Sequence, residues 1–412
     1  MARKVLISFL GTGPLESKDK RIYRTAHYHL GETDLGEYSF VAAALEKHYQ
    51  VDATFLVGTV HSMWEEVYKW HREEDGQQVD EDIYLEIADG CEQANHQSSL
   101  NIPHQQAIEE ALGGSSKVIL IKYGISEQEV RDNINIILGI ESLLKNGDEL
   151  IVDVTHSFRS LPIFLMNLLV YLQNVSKKKI DISHIHYGML EIRNELGFAP
   201  IIDLKAILEI NDWITGAYSF SEFGNAYMIS QLIKNEDKSS ETLLDEFSNL
   251  MNLNHLYGIK TLAQRISCLT NKEYGSLLPN LALTPIIRAF VNQFRVDKND
   301  KDSRFQFQVA KWQFEHRKYA QSYLTLSESL ISYICEINNF EPDKFEDREY
   351  AKLILRGKAN PQCKCNNQIS KIFKEINKIR NSTAHAVETG ISTKKMIETL
   401  SNSIEDIEKI IK

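Results

Sequence analysis

Residues 149–173 read ELIVDVTHSFRSLPIFLMNLLVYLQ, an apolar strand-like run followed by a polar turn and then by an apolar helix-like run. The strand portion is rich in β-branched and aliphatic residues, which is typical of a parallel strand buried on both faces. Ser160 can cap the helix, and Pro162 falls in its first turn, where a missing N–H costs nothing. This order predicts one repeat of a parallel α/β sheet.

The same alternation extends over the first half of the chain. Strand-like runs lie at 4–13, 51–59, 117–124, 149–157 and 179–190. We expect the acidic, glutamine-rich residues 60–112 to form a helical insertion, and residues 194–204 to form a short edge hairpin. Together these features predict a Rossmann-like parallel-sheet domain over residues 1–205.

Helical periodicity replaces the strand-like runs from residue 206 onward. Residues 304–337 have the pattern of one long aromatic-rich helical stretch, and isoleucines with Phe373 form an apolar stripe over 367–380. We therefore predict an all-α domain over residues 206–412. The fold class is α/β plus all-α.

Charge is distributed unevenly along the chain. The net charge is −11, which argues against a surface with general affinity for nucleic acid. Residues 351–380 are nevertheless basic, with Glu375 as their one acid. This segment favours a confined polyanion site, and a solvated helix face is the alternative.

The remaining composition points to a cytoplasmic protein. No signal peptide opens the sequence, and the longest apolar run, 161–173, is too short to span a bilayer. The five cysteines are scattered, and the pair Cys363 and Cys365 lacks the further ligands of a zinc site. We expect free thiols, no metal and no membrane partner.

Small and polar residues follow the predicted parallel strands, where open α/β sheets bind ligands. Glycines there let the backbone approach a ligand, and N–H groups with helix N-termini can bind phosphate. We expect His156 to contact or orient the ligand, because no second metal ligand stands at a workable spacing. The candidate positions are Gly11, Thr12, Gly13, Gly58, Thr59, Tyr123, Gly124, Thr155, His156, Ser157 and Arg159.

A second candidate site lies in RNSTAH, residues 380–385. Side chains five residues apart on a straight helix point roughly 140° from each other, which is unsuitable for sharing one phosphate. Asn381, Ser382 and Thr383 favour caps and turns over helix interiors. We therefore predict that the helix breaks after Arg380, so that Arg380 and His385 converge; an ordinary interhelical joint is the alternative.

The Arg-x4-His spacing is weak evidence when taken alone. Arg24 and His29 show the same spacing in the α/β half. We assign that pair no catalytic role and expect it to line the ligand side or to remain solvated.

The motifs LISFLGTG, DVTHSFRSLP and RNSTAH, in this order, resemble CRISPR-associated ribonucleases of the Csx/Csm type. Those proteins join a CARF domain, which dimerises and binds a cyclic oligoadenylate, to a HEPN domain, whose paired Arg-x4-His motifs cleave RNA. The resemblance assigns Arg380 and His385 to cleavage. It assigns ligand contacts to the first and fourth strand-end loops and, less securely, to Gly58, Thr59, Ser62 and Trp64.

The resemblance implies an allosteric, metal-independent endoribonuclease of type III CRISPR defence that acts on single-stranded RNA as a homodimer or higher even oligomer. The 2′-OH would attack the phosphate and leave a 2′,3′-cyclic phosphate. His385 would transfer a proton, Arg380 would stabilise charge, and Asn381 would orient the phosphate or the imidazole. Cyclic tetra-adenylate is the favoured activator and cyclic hexa-adenylate its competitor. Slow cleavage of the activator, assisted by Thr12, Thr155 or His156, is left open.

Other functions fit the sequence less well. A non-catalytic cyclic-nucleotide sensor, whose helical half binds RNA or a protein, is the main alternative. A transcription regulator would need a base-reading recognition helix, and none is visible. A metabolic Rossmann enzyme would need the dinucleotide fingerprint and an acidic ribose partner, which are absent.

Overall fold

The computed structural model describes residues 2–17, 21–156, 160–275, 277–294, 301–359, 362–385 and 390–411. The chain forms two compact units, Met1–Glu209 and Ile210–Lys412. The first is built on a mixed, largely parallel sheet and the second is helical, which confirms the predicted fold class. The sequence placed the domain boundary at 205/206.

The first unit is organised around an eight-stranded sheet with the order β5-β4-β10-β9-β8-β1-β6-β7. Strands β9, β8, β1, β6 and β7 are parallel neighbours, as the apolar runs predict. A separate two-stranded ribbon joins β2 to β3. The strands are β1 (Lys4–Leu10), β2 (Leu15–Ser17), β3 (Ile22–Tyr23), β4 (Ala26–Leu30), β5 (Thr33–Tyr38), β6 (Ala53–Gly58), β7 (Lys117–Leu120), β8 (Glu149–Asp153), β9 (Asp181–Gly188) and β10 (Ala199–Asp203).

Both faces of the central strands are buried. In β1, Val5, Ile7 and Phe9 belong to one apolar cluster, while Leu6 and Leu10 belong to the other. Successive side chains of a strand point to opposite faces, so a run without polar positions can serve two helical layers at once. The helices are α1 (Val41–Tyr49), α2 (Trp64–Glu74), α3 (Glu81–Gln93), α4 (Gln105–Leu112), α5 (Glu127–Gly139), α6 (Leu161–Asn174) and α7 (Arg193–Leu196), with short 3₁₀ helices at Ile140–Leu143 and Leu190–Ile192.

Three features of this unit differ from the sequence predictions. The segment 60–112 is helical as expected, but Val67, Ile87 and Ile108 belong to the sheet-packed core, so it is not a mere insertion. The predicted edge hairpin is wrong, because β10 lies between β9 and β4. The hairpin β4–β5 is absent from the predicted strand-like runs, because its polar residues and glycines conceal the strand pattern.

The second unit consists of helices around two apolar clusters. One cluster extends from Trp213 to Trp312 and the other from Phe307 to Ile411. Residues 304–337 form two helices instead of one long stretch, with Arg317 at the turn in the left-handed region (φ 58°). The helices are α8 (Ala206–Phe223), which begins in the first unit, α9 (Tyr227–Ile233), α10 (Lys238–Leu253), α11 (Leu256–Ile266), α12 (Leu277–Phe294), α13 (Asp302–Glu315), α14 (Tyr319–Ile337), α15 (Phe345–Leu355), α16 (Asn367–His385) and α17 (Thr393–Glu408), with a 3₁₀ helix at Ser267–Asn271.

Candidate functional sites

The carboxyl ends of β1, β6 and β8 converge on one cavity of about 350 Å³ in the first unit. Parallel strands that run side by side end at the same edge of the sheet, so their following loops meet. The predicted ligand residues among its lining are Gly11, Thr12, Gly13, Gly58, Thr59, Ser62, Thr155 and His156. Ser157 and Arg159 lie outside the described residues. Tyr123 and Gly124, which follow β7, are not part of this lining.

Two glycines shape the cavity wall for steric reasons. Gly13 has a φ of 57°, and a Cβ there would lie 2.7 Å from Met63 Sδ and 2.8 Å from Tyr23 Cδ1. At Gly58 a Cβ would lie 2.8 Å from Trp64 Cζ2 and 3.2 Å from the carbonyl oxygen of Leu10. The packing of the protein itself therefore requires glycine at both positions, and both positions line the cavity.

A buried hydrogen-bond network fixes the end of β8. Asp153 is fully buried and accepts a hydrogen bond from Ser8 Oγ (2.5 Å) and another from Thr155 Oγ1 (2.5 Å). Thr155 Oγ1 in turn accepts the Gly188 N–H at 2.7 Å. Burial raises the pKa of Asp153 to about 6, and the hydroxyl donors oppose that rise. Thr155 therefore links β8 to β9 and orients the loop that carries His156.

His156 faces the cavity as a neutral imidazole at pH 7. Burial lowers its pKa to about 4. Its Nε2 atom is buried and has no hydrogen-bond partner within the described ranges. A neutral ring with an unused nitrogen is suited to hydrogen bonding with a ligand and not to pairing as a cation with phosphate.

Of the residues that follow β6, some line the cavity and others stabilise the loop. Ser62 Oγ donates to the Leu10 carbonyl at 2.8 Å and accepts the Thr59 N–H at 3.0 Å, which joins the ends of β1 and β6. The assignment of Trp64 as a ligand contact is wrong. Its ring is fully buried in the core, and its Nε1 donates to the Thr59 carbonyl at 2.8 Å. Trp64 therefore stabilises the loop after β6 from the side of the core.

Sequence reasoning missed part of the cavity wall. Arg24 and Arg193 both line it, together with Tyr28 from β4. No acid in the described part of the chain forms an ion pair with either guanidinium. Burial raises the pKa of Tyr28, so its hydroxyl remains protonated and can donate. Two unpaired cations beside backbone glycines make this cavity suitable for an anion. For Arg24 the sequence left open whether it lines the ligand side or remains solvated, and no sequence signal marked Arg193.

A second cavity of about 310 Å³ shares Thr12, Gly13 and Ser62 with the first. Its lining includes Glu65, whose Oε1 atom accepts a hydrogen bond from the Tyr23 hydroxyl at 2.6 Å. Burial and the neighbouring carboxylate raise the pKa of Tyr23, so the phenol stays protonated. The β1 loop thus separates the space beside Arg24 and Arg193 from a second space, whose lining includes Tyr23, Glu65 and Arg21.

Helix α16 contradicts the predicted break. It is continuous over Asn367–His385. Ser382 Oγ and Thr383 Oγ1 both donate to the Ile379 carbonyl, at 2.8 and 3.0 Å, so their hydroxyls are satisfied inside the helix. The predicted interruption at Arg380 is therefore wrong, and positions 380 and 385 of one chain stay roughly 140° apart.

Arg380 and Asn381 form a local pair on this helix. Arg380 Nη1 donates to Asn381 Oδ1 at 3.0 Å, while Arg380 Nε is buried without a partner among the described residues. The side chain of His385 lies outside what the structure describes. Exposed cations lie before the helix and along it, and they are Arg356, Lys358, Lys364, Lys371, Lys374 and Lys378.

Comparison with known proteins gives the family of this fold. Residues 5–191 match the family model of the CARF domain of the CRISPR system endoribonuclease Csx1, and residues 209–300 match that of the second domain of CRISPR-associated protein MJ1674. The chain is a CRISPR-associated CARF protein. Its cavity lies at the strand ends of the CARF domain.

Similarity to a curated relative extends over almost the whole CARF protein. The chain is 33% identical to CRISPR-associated protein MJ1674 of Methanocaldococcus jannaschii over 427 aligned positions, which include 99% of this chain and 66% of the relative. A solved structure, Enterococcus italicus Csm6 bound to cyclic hexa-2′-fluoro-hexa-dAMP, aligns with 99% of this chain and 93% of its own, at 14% identity and a TM-score of 0.41. That likeness is too low to support further argument. Among the described residues of the CARF protein, no helix is long and apolar enough to cross a membrane.

Proposed function

We propose that this protein is a cyclic oligoadenylate-activated endoribonuclease that cleaves single-stranded RNA without a catalytic metal in type III CRISPR defence. Residues 1–205 would form the sensor and residues 206–412 a HEPN ribonuclease domain. The observation that carries the proposal is the cavity of the CARF domain, where strand-end glycines meet two guanidinium groups that have no ion-pair partner among the described residues.

The cavity supports an oligonucleotide activator in two ways. Arg24 and Arg193 supply charge for phosphates, and the glycine loops supply backbone N–H groups. In the adjoining space the Tyr23 hydroxyl donates to Glu65 Oε1, and Glu65 Oε2, which has no partner among the described residues, is suited to accept from the amino group of a base. Cyclic tetra-adenylate is the favoured ring and cyclic hexa-adenylate its competitor.

A dimer is part of the proposal. A ring with two-fold symmetry is suited to an isologous pair of sensors. On α8, Ile210, Ile214 and Tyr218 lie at helical spacing and are 41%, 61% and 62% exposed, which gives the chain an apolar stripe for a partner. We assign this stripe to a second copy of the chain.

The continuity of α16 limits how Arg380 and His385 can form one cleavage site. Because positions 380 and 385 of one helix diverge, we assign the cleavage site to groups from two copies of the chain. Arg380 would stabilise charge on the scissile phosphate, and His385 would transfer a proton. Asn381, which already holds Arg380, would orient that guanidinium. The substrate supplies the nucleophile as its 2′-OH and leaves a 2′,3′-cyclic phosphate.

The same observation also favours a second function. A helix that does not bring its Arg and His together is equally suited to a non-catalytic sensor whose helical unit binds RNA. The exposed cations before and along α16 would then provide the RNA contact.

Cleavage of a fluorescent single-stranded RNA in EDTA, with and without each activator ring, separates the two functions. We expect cleavage that requires an activator, survives the chelator and disappears in His385→Ala, while that variant still binds the activator. The control variant Lys394→Ala removes an exposed cation from α17 and should cleave normally. RNA binding without cleavage at any ring size would establish the non-catalytic sensor instead.

A further inference from the structure

The outer side of the β4–β5 hairpin holds a cluster that the proposed function does not use. His27 and His29 are two residues apart on β4, so both imidazoles lie on the same face, opposite Tyr28. Asp34 of β5 is the cross-strand partner of His29. The hairpin therefore places two imidazoles and a carboxylate together near the exposed edge of the sheet.

The three side chains converge on one point. Asp34 Oδ1 lies 2.6 Å from His27 Nε2 and 3.9 Å from His29 Nε2. One ligand atom from each residue lies within 4.8 Å of the others. An ion bonded to three such atoms at about 2.1 Å needs them roughly 3–3.5 Å apart, so small side-chain rotations suffice.

Neighbouring contacts already orient the groups. The ring of His29 stacks on Phe198 with centroids 4.1 Å apart, and the Gly36 N–H donates to Asp34 Oδ1 at 2.8 Å. Metal ligands in proteins are held by outer contacts of this kind. The side chains of His27, His29 and Asp34 are 36%, 24% and 58% exposed, which leaves room for solvent ligands.

An ordinary histidine–carboxylate ion pair explains the cluster less well. His71 with Glu46, His104 with Glu86 and His184 with Asp203 are such pairs. Among the described residues, His27, His29 and Asp34 alone place three potential ligand atoms close enough to share one ion. We propose that this cluster binds one divalent transition-metal ion, of the class to which Zn²⁺ and Co²⁺ belong, with open positions for water.

The test is Co²⁺ and Zn²⁺ binding by the full-length protein after removal of any histidine tag. We expect one Co²⁺ per chain with visible d–d absorption, displaced by Zn²⁺, and a higher midpoint of thermal unfolding with Zn²⁺. Asp34→Asn and His27→Gln should each weaken Co²⁺ binding by more than about tenfold. Both replace exposed side chains by similar shapes, so the apo variants should fold.

His104→Ala is the matched control, because it removes an exposed imidazole that faces one carboxylate. It should bind Co²⁺ as the unchanged protein does. Equal Co²⁺ affinity in Asp34→Asn, His27→Gln and the unchanged protein would overturn the proposal, and so would the absence of one-to-one binding.

Discussion

The strand-end cavity of the CARF domain and helix α16 of the second unit hold the two predicted sites, and they differ in how their residues come together. In the cavity, sheet topology alone brings the loops after β1, β6 and β8 to one edge. On α16, the backbone keeps Arg380 and position 385 on different sides of one helix. The loops that line the cavity meet within one chain, whereas Arg380 and position 385 of one chain diverge. Substitutions in the two regions should therefore have separable effects.

The largest effect is expected at Arg380. Arg380→Ala should lower RNA cleavage at saturating activator by about 100-fold or more, because the developing phosphate charge loses its cation. Activator affinity, measured by isothermal titration calorimetry, should stay unchanged.

Lys394→Ala, which removes an exposed cation of α17, serves as its control and should retain cleavage. A parallel loss of activator binding in Arg380→Ala would contradict the separation of the two sites.

The second-largest effect is expected in the pH dependence of local stability around the buried Asp153. Its folded pKa of about 6 lies above that of an unfolded aspartate, so its contribution to stability is fully present below about pH 4 and is lost as pH rises to about 6. Between about pH 4 and about pH 6, the free energy of local opening of β8 should fall by roughly 2–3 kcal/mol in the unchanged protein relative to Asp153→Asn. Hydrogen exchange of peptides from β8, followed by mass spectrometry, measures the difference.

His156, which lies three residues after Asp153, contributes to stability with the opposite pH dependence. Its pKa of about 4 lies below the unfolded value of about 6.5, so its contribution is present above pH 6.5 and is lost as pH falls towards 4. Asp153→Asn should therefore be the more acid-sensitive protein. A difference between the two proteins that does not change with pH would show that Asp153 is not the titrating group.

A smaller effect is expected at Thr155. Thr155→Val removes a donor to Asp153 and leaves the Gly188 N–H without its acceptor, which should cost about 1–3 kcal/mol of local stability. Faster hydrogen exchange in β8 and β9, with weaker activator binding, would show it. Thr215→Val is the matched control, because that exposed hydroxyl bonds only its own helix, and its cost should stay within about 0.5 kcal/mol. Equal exchange rates in the two variants would refute the bridging role.

The smallest effect is expected for one exposed cation. Lys371→Ala should weaken RNA binding a few-fold and reduce the slope of log affinity against log salt by about 0.7. The salt dependence of activator affinity should be the same in Lys371→Ala as in the unchanged protein. Fluorescence anisotropy at several salt concentrations gives both slopes, and an unchanged RNA slope would remove Lys371 from the RNA surface.

These two regions also explain how far the sequence could predict the structure. Apolar runs with glycine ends predicted the parallel strands and most of the cavity, because burial on both faces leaves a strong pattern. The sequence did not predict Arg193 as a cavity-lining residue, since it lies on the short helix α7 after β9. Trp64 was misassigned because a buried indole and a ligand-stacking indole look alike in sequence. The continuity of α16 was missed because the hydroxyls of Ser382 and Thr383 bond within the helix.

The position of β10 has a consequence for synthesis of the chain. Hairpin β4–β5 ends at Tyr38, yet β4 joins the main sheet only through β10, which starts at Ala199. During translation the hairpin emerges about 160 residues before its sheet partner, and its backbone edge stays unpaired over that interval. The CARF domain therefore completes its sheet only when its last strand has left the ribosome, which makes the N-terminal hairpin the part of the nascent chain most open to wrong pairing.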